Sequence, residues 1–467
     1  MKHSILTVPV LAAALATASG ASARDMLGNV IHVYDDVVFF DGYNKLENLN
    51  EKAQAMIPDD DGVLRHLTSL YAVKLSDEQL AQVGEHLDMR VMIGAMCDNY
   101  DRIGNINLAF VPKGSATYSP VEVKRIELGR FITPFMNKNI EPREVPYAYE
   151  VDNVSGILRD ARLREEFDIW VEFQLFGIPY AANEQVKGCA DCQDVFAGTL
   201  WFETDAPAPL TDKNVLVPIV IKTPEDQGKN LCNYDERATD VLGKTQKKYT
   251  FEVPEDVTDG QIVLITSNHG ANAGGEEYNR RIHVVRFQDE IVLRYTPGRD
   301  SCEPFRKYNT QLNGIYGYSE KSDSEWQSFS NWCPGDVIDN RIINLGPVAK
   351  GTYAVEIKVP QAKFEGGQGD IPVSMYFQGV TEGQLPKPSG VADVKADFRS
   401  AISIDGDVCR VTSEEAPLSL AVYDADGELV ARRMRASEIS LGACPRGVNI
   451  VVVEYADGLN ENYKILR

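Results

Sequence analysis

The chain has 467 residues, with 47 lysines and arginines against 69 aspartates and glutamates, a formal net charge of −22. That balance argues against nucleic acid or an anionic membrane surface as a partner. After the N-terminal leader no stretch is long and apolar enough to cross a bilayer, so no membrane span is expected.

In chain order, Lys2 and His3 precede an apolar run from Ile5 to Ala16 and then Ala21-Ser22-Ala23. This is the pattern of an export signal with an A-x-A cleavage site, read as residues 1–23. It predicts a soluble, exported protein beginning near Arg24: secreted, periplasmic or at the cell surface. The eight cysteines (Cys97, Cys189, Cys192, Cys232, Cys302, Cys333, Cys409 and Cys444) all follow it. An even number behind a signal predicts disulfides. Cys189-Ala190-Asp191-Cys192 has zinc-ribbon or redox spacing with no second such pair, and reads as a local disulfide or loop staple. Cys409 and Cys444 are placed to close a loop in the last domain.

Strand signals follow almost without interruption: Val30–Phe40, Leu64–Val73, Ile169–Phe176, Val215–Ile221, Gln261–Ser267, Ile282–Phe287 and Thr352–Val359. Gly, Asn, Asp and Pro turns separate them, which predicts an all-β chain of antiparallel sandwiches. Helix is expected over Asp77–Leu87 and Ile157–Glu166 alone. A Pro/Ala linker at Asp205–Pro209 and a second break at Glu382–Ser389 divide the chain into 26–204, 215–385 and 391–467.

Four stretches concentrate chemistry. Gly94–Leu108 sets Cys97, Asp98, Asp101 and Arg102 between two apolar strands. Arg102 beside Asp101 is expected to hold that carboxylate ionised or to orient it; a solvated Asp–Arg pair is the plainer reading. Glu127–Phe135 holds Arg130 in an apolar strand, which reads as a paired structural arginine. On Ile169–Phe176 the period of two puts Trp170, Glu172 and Gln174 on one face. That face suits carbohydrate, or is the wet side of an edge strand. Gly274–His283 delivers Glu276, Glu277, Tyr278, Arg280 and Arg281 from a Gly-rich turn. The six histidines make no metal-ligand spacing, so neither metal nor cofactor is expected.

As an ordered set these stretches resemble the bacterial peptide:N-glycosidase F family of N-glycan amidases. The resemblance rests on Cys97-Asp98-Asn99-Tyr100-Asp101-Arg102, on Leu128-Gly129-Arg130-Phe131-Ile132-Thr133-Pro134-Phe135, on Ile169–Gln174, on Gly274–Arg281 and on Trp332-Cys333-Pro334-Gly335. It implies two side-by-side antiparallel eight-stranded jelly rolls with the active site between them. It also implies a catalytic Asp101 supported by Glu172 and Glu277, and N-glycosylated proteins or glycopeptides as substrates. Arg102, Arg281 and Trp170 are the substrate-binding candidates. A Cys302–Cys333 disulfide is implied as well. The family's first cysteine pair is represented here by Cys97 alone, which is expected to be free or paired elsewhere, with Cys232 as the suggested partner. Gln174 and Asn268-His269 stand where the family has tryptophans, and Phe329 or a neighbour stands where it has an arginine. A non-catalytic glycan-binding protein on the same scaffold is the alternative. A glycoside hydrolase is conceivable, and a copper monooxygenase-like pair of jelly rolls lacks its histidines. The last segment, Leu420–Val430 with Gly442–Arg467, resembles the small β sorting or surface domains of Bacteroidetes-type secreted proteins, which implies a display or export module.

Overall fold

A computed structural model describes residues 28–221, 245–270, 276–312, 314–362, 370–387, 400–413, 415–425, 427–456 and 460–467. The export signal, Cys232 and the expected start of the tail at Val391 lie outside the described residues.

The first sandwich has one sheet of β1 (Asn29–Phe40), β9 (Asp194–Thr204), β4 (Leu87–Ala95) and β7 (Glu144–Glu150), in that spatial order. The facing sheet runs β6 (Lys124–Ile132), β5 (Ile103–Pro112), β8 (Phe167–Leu175), β3 (Leu70–Lys74), β2 (Leu64–Leu67). Alternation decides what enters the core. Ile169, Val171, Phe173 and Leu175 of β8 point inward, with Phe39, Tyr71, Leu108 and Phe131 from neighbouring strands. Phe39 stacks on Tyr71 at 4.6 Å.

The second sandwich pairs β10 (Asn214–Val220), β18 (Val373–Val380), β12 (Val257–Thr266) and β16 (Arg341–Val348) with a sheet of β11 (Gln246–Val253), β17 (Gly351–Lys358), β13 (His283–Phe287) and β14 (Glu290–Tyr295). Among the described residues, the strand pairings within both sandwiches are all antiparallel, as the jelly-roll expectation requires. The tail forms two small sheets, β19 (Ser400–Asp405), β20 (Val408–Ser413) and β23 (Glu438–Ser440), then β22 (Leu429–Met434), β21 (Ser419–Tyr423), β24 (Val448–Glu454) and β25 (Asn460–Leu466). Its core takes in Val284 of β13, with Ile282 and Ile291 packed alongside. Arg294 of β14 pairs with the buried Glu461 of β25. The tail is thus seated on the second sandwich.

Three local expectations are corrected. The segment expected as one strand over Leu64–Val73 is a hairpin, β2 and β3, turning at the buried Thr68 and Ser69. The first helix is a single turn, α2 (Asp77–Leu80): Ser76 and Gln79 close a capping box at its start, and β4 claims the chain from Leu87. The second breaks into α3 (Asp152–Leu158) and α4 (Ala161–Glu166), because the buried Asp160 carboxylate accepts from Leu163 N at 3.1 Å and Asn214 N at 3.1 Å. Those bonds make Asp160 a helix start in place of a helix interior.

The two sandwiches meet on the outer face of β6. Its ladder with β5 slips between Ile106 and Asn107: Asn105 pairs with Arg130, while Asn107 pairs with Glu127. This bulge brings two residues three apart onto the same face. Arg130 and Glu127 form a wholly buried forked pair with both contacts at 2.8 Å. The remaining guanidinium nitrogen donates across the seam to Ser267 Oγ at 2.8 Å and Pro372 O at 2.9 Å. Beside it Ile132, Ile265, Trp332 and Ile338 form an apolar patch. The expected structural role of Arg130 is what the fold gives it. Arg130→Leu should leave Glu127 charged and unpaired in the seam, lowering unfolding free energy by about 3–5 kcal/mol in denaturant titrations. The paired change Glu127→Gln with Arg130→Met should lower it less.

Candidate functional site

Two loops meet at the seam. The first follows β4 and carries Asp101. Thr133, the residue after β6, clamps it: Arg102 N donates to Thr133 Oγ1 at 2.8 Å and Thr133 N to Arg102 O at 2.8 Å. The second leaves β12 through Ser267–Gly270 and returns with Glu276–Arg281. Asn331 holds this return by donating to the carbonyls of Glu276, Glu277 and Asn279 at 2.7–3.0 Å.

The segment that carries Asn331 and Trp332 is tied back to β6. β15 (Val337–Ile338) pairs with Phe131 and Arg130, extending the first sandwich's sheet with a strand from the second. Gly335 N donates to Ile132 O at 2.9 Å, and Ile132 N to Asp336 O at 3.0 Å. Gly335 sits at φ +99°, a backbone region that a side chain would strain. The stretches Leu128–Phe135 and Trp332–Gly335 are therefore backbone neighbours, and together they register Asp101 against Glu277.

The electrostatics follow from that placement. The Asp101 carboxyl is pushed up to about 7, first by burial and next by the charge of Glu277, against the weaker downward pull of Arg102. Burial also raises Glu277, against the Gly270 N–H and the Tyr278 hydroxyl that favour its charged form. Gly270 N donates to Glu277 Oε2 at 3.0 Å. The Tyr278 hydroxyl is raised by burial and by both carboxylates. Of the two carboxyls, Asp101 is thus the one brought to neutrality, with the Glu277 charge contributing to its rise.

The expectation that Arg102 is the partner of Asp101 is corrected. Its Nε donates to Asp98 Oδ2 at 2.7 Å and its Nη2 to Asp98 Oδ1 at 3.3 Å. The guanidinium carbon lies 5.5 Å from the centre of the Tyr100 ring. Arg281, about a quarter exposed, pairs with the buried Glu276 at 2.9 Å, which separates the roles of the two consecutive glutamates. A polar cleft of about 600 Å³ opens beside them, lined by Tyr278, Asn279, Arg280, Arg281, Asp300 and Gln327.

Glu172 and Trp170 do not join this group. Glu172 lies opposite Asn107, roughly 14 Å along β5 from its first residue at about 3.4 Å per residue. It is fully buried, forked on Arg125 and bonded to Asn107 Nδ2 at 2.9 Å and Tyr118 OH at 2.9 Å. These partners all belong to the first sandwich, which makes it part of that sandwich's internal charge network. Trp170 is 6% exposed and packed edge-on against Tyr118, with ring centres 5.5 Å apart, so no sugar can stack on it in this arrangement. Sequence reasoning missed Arg125: it shares the outer face of β6 with Glu127, as alternation predicts, and reaches Glu172 across the intervening β5.

The cysteines also differ from expectation. Cys97 bonds to Cys189, in place of standing free or joining Cys232, and Cys192 is left as a buried thiol. Cys302 and Cys333 are bridged as implied. Cys409 and Cys444 are both buried thiols, so no bridge closes the tail loop. The first disulfide ties the residue before Asp98 to the loop after β8.

Residues 30–189 match the family described as peptide-N-glycosidase F, N terminal, and residues 234–378 match its C-terminal counterpart. No curated protein matches the chain. Among solved structures, PNGF-II in a P21 crystal form is 17% identical with a TM-score of 0.54, covering 77% of this chain and 66% of that one. Its C2 form is 18% identical with a TM-score of 0.53, covering 76% and 65%. The chain thus spans just under two thirds of the length of PNGF-II. PNGase F of Flavobacterium meningosepticum, described as a glycosylasparaginase, is 15% identical with a TM-score of 0.47, covering 77% and 97%. At these identities the PNGF-II likeness shows the shared fold.

A pH-dependent stability follows from Asp101. Its folded carboxyl titrates near 7 against an ordinary 3.8, so the native state holds a proton that the unfolded chain releases. The stabilising contribution of that proton is present at about pH 4 and below, and is lost as pH rises toward 7. Asp101→Asn should therefore match the wild type near pH 4 and exceed it by about 1–3 kcal/mol above pH 7, read from thermal melts across pH.

Proposed function

The chain belongs to the peptide-N-glycosidase F family, and on that premise we propose that it is an exported amidase cleaving the bond between asparagine and the first sugar of an N-glycan. The observation that carries this reading is the meeting of the loops that bear Asp101 and Glu277, one from each sandwich, near enough that the Glu277 charge helps push the Asp101 carboxyl up to about 7. Both occupy positions that the sequence motifs marked for catalysis.

An amide is a poor electrophile with a poor leaving group. Hydrolysis needs a proton removed from water during attack and one delivered to the departing nitrogen. A single carboxyl with a midpoint near neutrality serves both steps, because neither protonation state is scarce at working pH. In this mechanism Asp101 accepts the water proton and passes it to the leaving glycosylamine nitrogen. Glu277, fixed by Gly270 N–H and Tyr278, keeps the pair from ionising fully before substrate arrives and takes part in placing the water. The Tyr278 hydroxyl and the exposed edge of Arg102 are donors on the side where negative charge develops. Arg281, already oriented by Glu276, lies in the adjoining polar cleft, where glycan hydroxyls or peptide carbonyls would bind. Glu172 serves here as a structural charge in place of the supporting catalytic role that the family resemblance implied.

A non-catalytic glycan-binding protein is the second reading. It is favoured by the locking of Glu172 onto Arg125 and by the burial of Trp170.

Incubation with a defined N-glycopeptide, followed by mass spectrometry of the peptide, separates the readings. The amidase converts Asn to Asp and releases the whole glycan. A glycosidase leaves one sugar on Asn. Binding without turnover supports the second reading. Asp101→Asn should lower turnover by about two to four orders of magnitude, the usual worth of a general acid–base group. Glu172→Gln should instead destabilise the fold by about 3–5 kcal/mol, since it leaves Arg125 buried and unpaired, while the folded fraction keeps near-native turnover.

A further inference from the structure

Four donors converge on the buried Asp98 carboxylate: Arg102 Nε at 2.7 Å and Nη2 at 3.3 Å, Tyr100 N at 2.9 Å, and Ile178 N at 2.7 Å. Asp98 has no place in the proton transfers just described, yet it stands three residues before Asp101 and takes up the guanidinium that adjoins it. We propose that Asp98 is a positioning residue that holds the Arg102 guanidinium off Asp101, leaving the Asp101 carboxyl free to exchange a proton. This deepens the amidase reading and rests on it for its catalytic consequence.

The geometry restricts Arg102 at both ends. Its backbone N–H and carbonyl are both bonded to Thr133, so the start of the side chain is fixed. Its Nε and Nη2 form a fork on the two Asp98 oxygens, the arrangement in which a guanidinium is most firmly held. Asp98 is itself immobilised. Ile178 N, from the chain just beyond β8, donates to it, and its neighbour Cys97 is bridged to Cys189 in the same region. Among the described residues no side chain donates a hydrogen bond to Asp101. The charged and titratable groups facing Asp101 are Arg102 and Asp98 from its own loop, and Glu277 and Tyr278 from the second sandwich. Arg102 is the cation among them. Without the Asp98 charge, the adjoining Asp101 carboxylate, which already feels the Arg102 charge, is there to attract it, and an Asp101 paired with arginine would be a poor proton donor at neutral pH.

The test follows the Asp101 titration directly by NMR of ¹³C-carboxyl-labelled aspartates, assigned by loss of the signal in Asp101→Asn. In Asp98→Asn, which removes the charge and keeps one amide oxygen to accept from either Tyr100 N or Ile178 N, the Asp101 midpoint should fall by about one to three pH units, the effect of a cation brought within contact of a carboxylate. The acid limb of kcat on an N-glycopeptide should move down with it, with kcat reduced at neutral pH and KM little changed. In an Arg102→Gln background most of that fall should disappear. Asp98→Glu, which restores the charge, should return the midpoint toward the wild-type value. An unmoved midpoint in Asp98→Asn, or an equal fall with and without Arg102, overturns the proposal. Arg102→Gln by itself is a second measurement that does not depend on Asp98→Asn folding. With the guanidinium held off, the midpoint should rise by less than about one pH unit, whereas a rise in the range expected for a direct partner overturns the proposal. The titration needs no turnover. A protein that binds glycopeptide without cleaving it would refute the amidase reading while leaving the role of Asp98 decided by the NMR result.

Discussion

The arrangement depends on one buried charge pair. Glu127 and Arg130 lie on the outer face of β6, forked on each other, and Arg130 reaches Ser267 and the Pro372 carbonyl on the second sandwich. Both side chains are excluded from water, so each needs its partners in place. A greasy seam would tolerate sliding; a forked guanidinium with fixed acceptors does not. The Ile132, Ile265, Trp332 and Ile338 patch adds area, and the ion pair adds register.

That register matters because the same strand continues into the site. Three residues beyond Arg130, Thr133 clamps the Asp101 loop. On the other sandwich, Ser267 leads directly to Gly270, whose N–H holds Glu277. A short run on each side therefore carries a structural contact and then a chemical group. The Trp332–Gly335 stretch closes the circuit by pairing its backbone with β6 while Asn331 braces the Glu277 turn. Exclusion of water at the seam is also what raises the Asp101 carboxyl. The constraint that aligns the two halves thus sets their acid–base character as well.

The first sandwich handles a second carboxylate in the opposite way. Glu172 sits on the same outer face as Glu127, but Arg125, Asn107 and Tyr118 satisfy it completely. Asp101 has a neighbouring carboxylate and only a distracted arginine. One acid is neutralised by a buried cationic partner, while the other is desolvated beside a like charge and raised to about 7, and the second kind can do chemistry at neutral pH.

Local pattern determined a good deal. Period-two alternation gave the strands, and turn residues separated them, because a sandwich strand must present one face to a core. Hence β1, β8, β10, β13 and β17 fall within a few residues of where the sequence puts them, and Arg130 reads correctly as a structural arginine from its apolar surroundings. The motifs also mark Asp101 and Glu277, since polar groups clustered between apolar strands are placed at loop ends. Partner choice was decided by tertiary structure. Sequence proximity joins Arg102 to Asp101, but the folded loop gives it to Asp98, three residues before Asp101. Face-sharing puts Glu172 and Trp170 on a sugar-facing surface, but Arg125 and Tyr118 cover them from β6 and the loop before it. Spacing suggests a Cys189–Cys192 staple, but the loop after β8 brings Cys189 to Cys97. The physical reason is the same in each case: ion pairs, disulfides and desolvation act through space over a few ångströms, and the residues that come that close are set by how sheets stack.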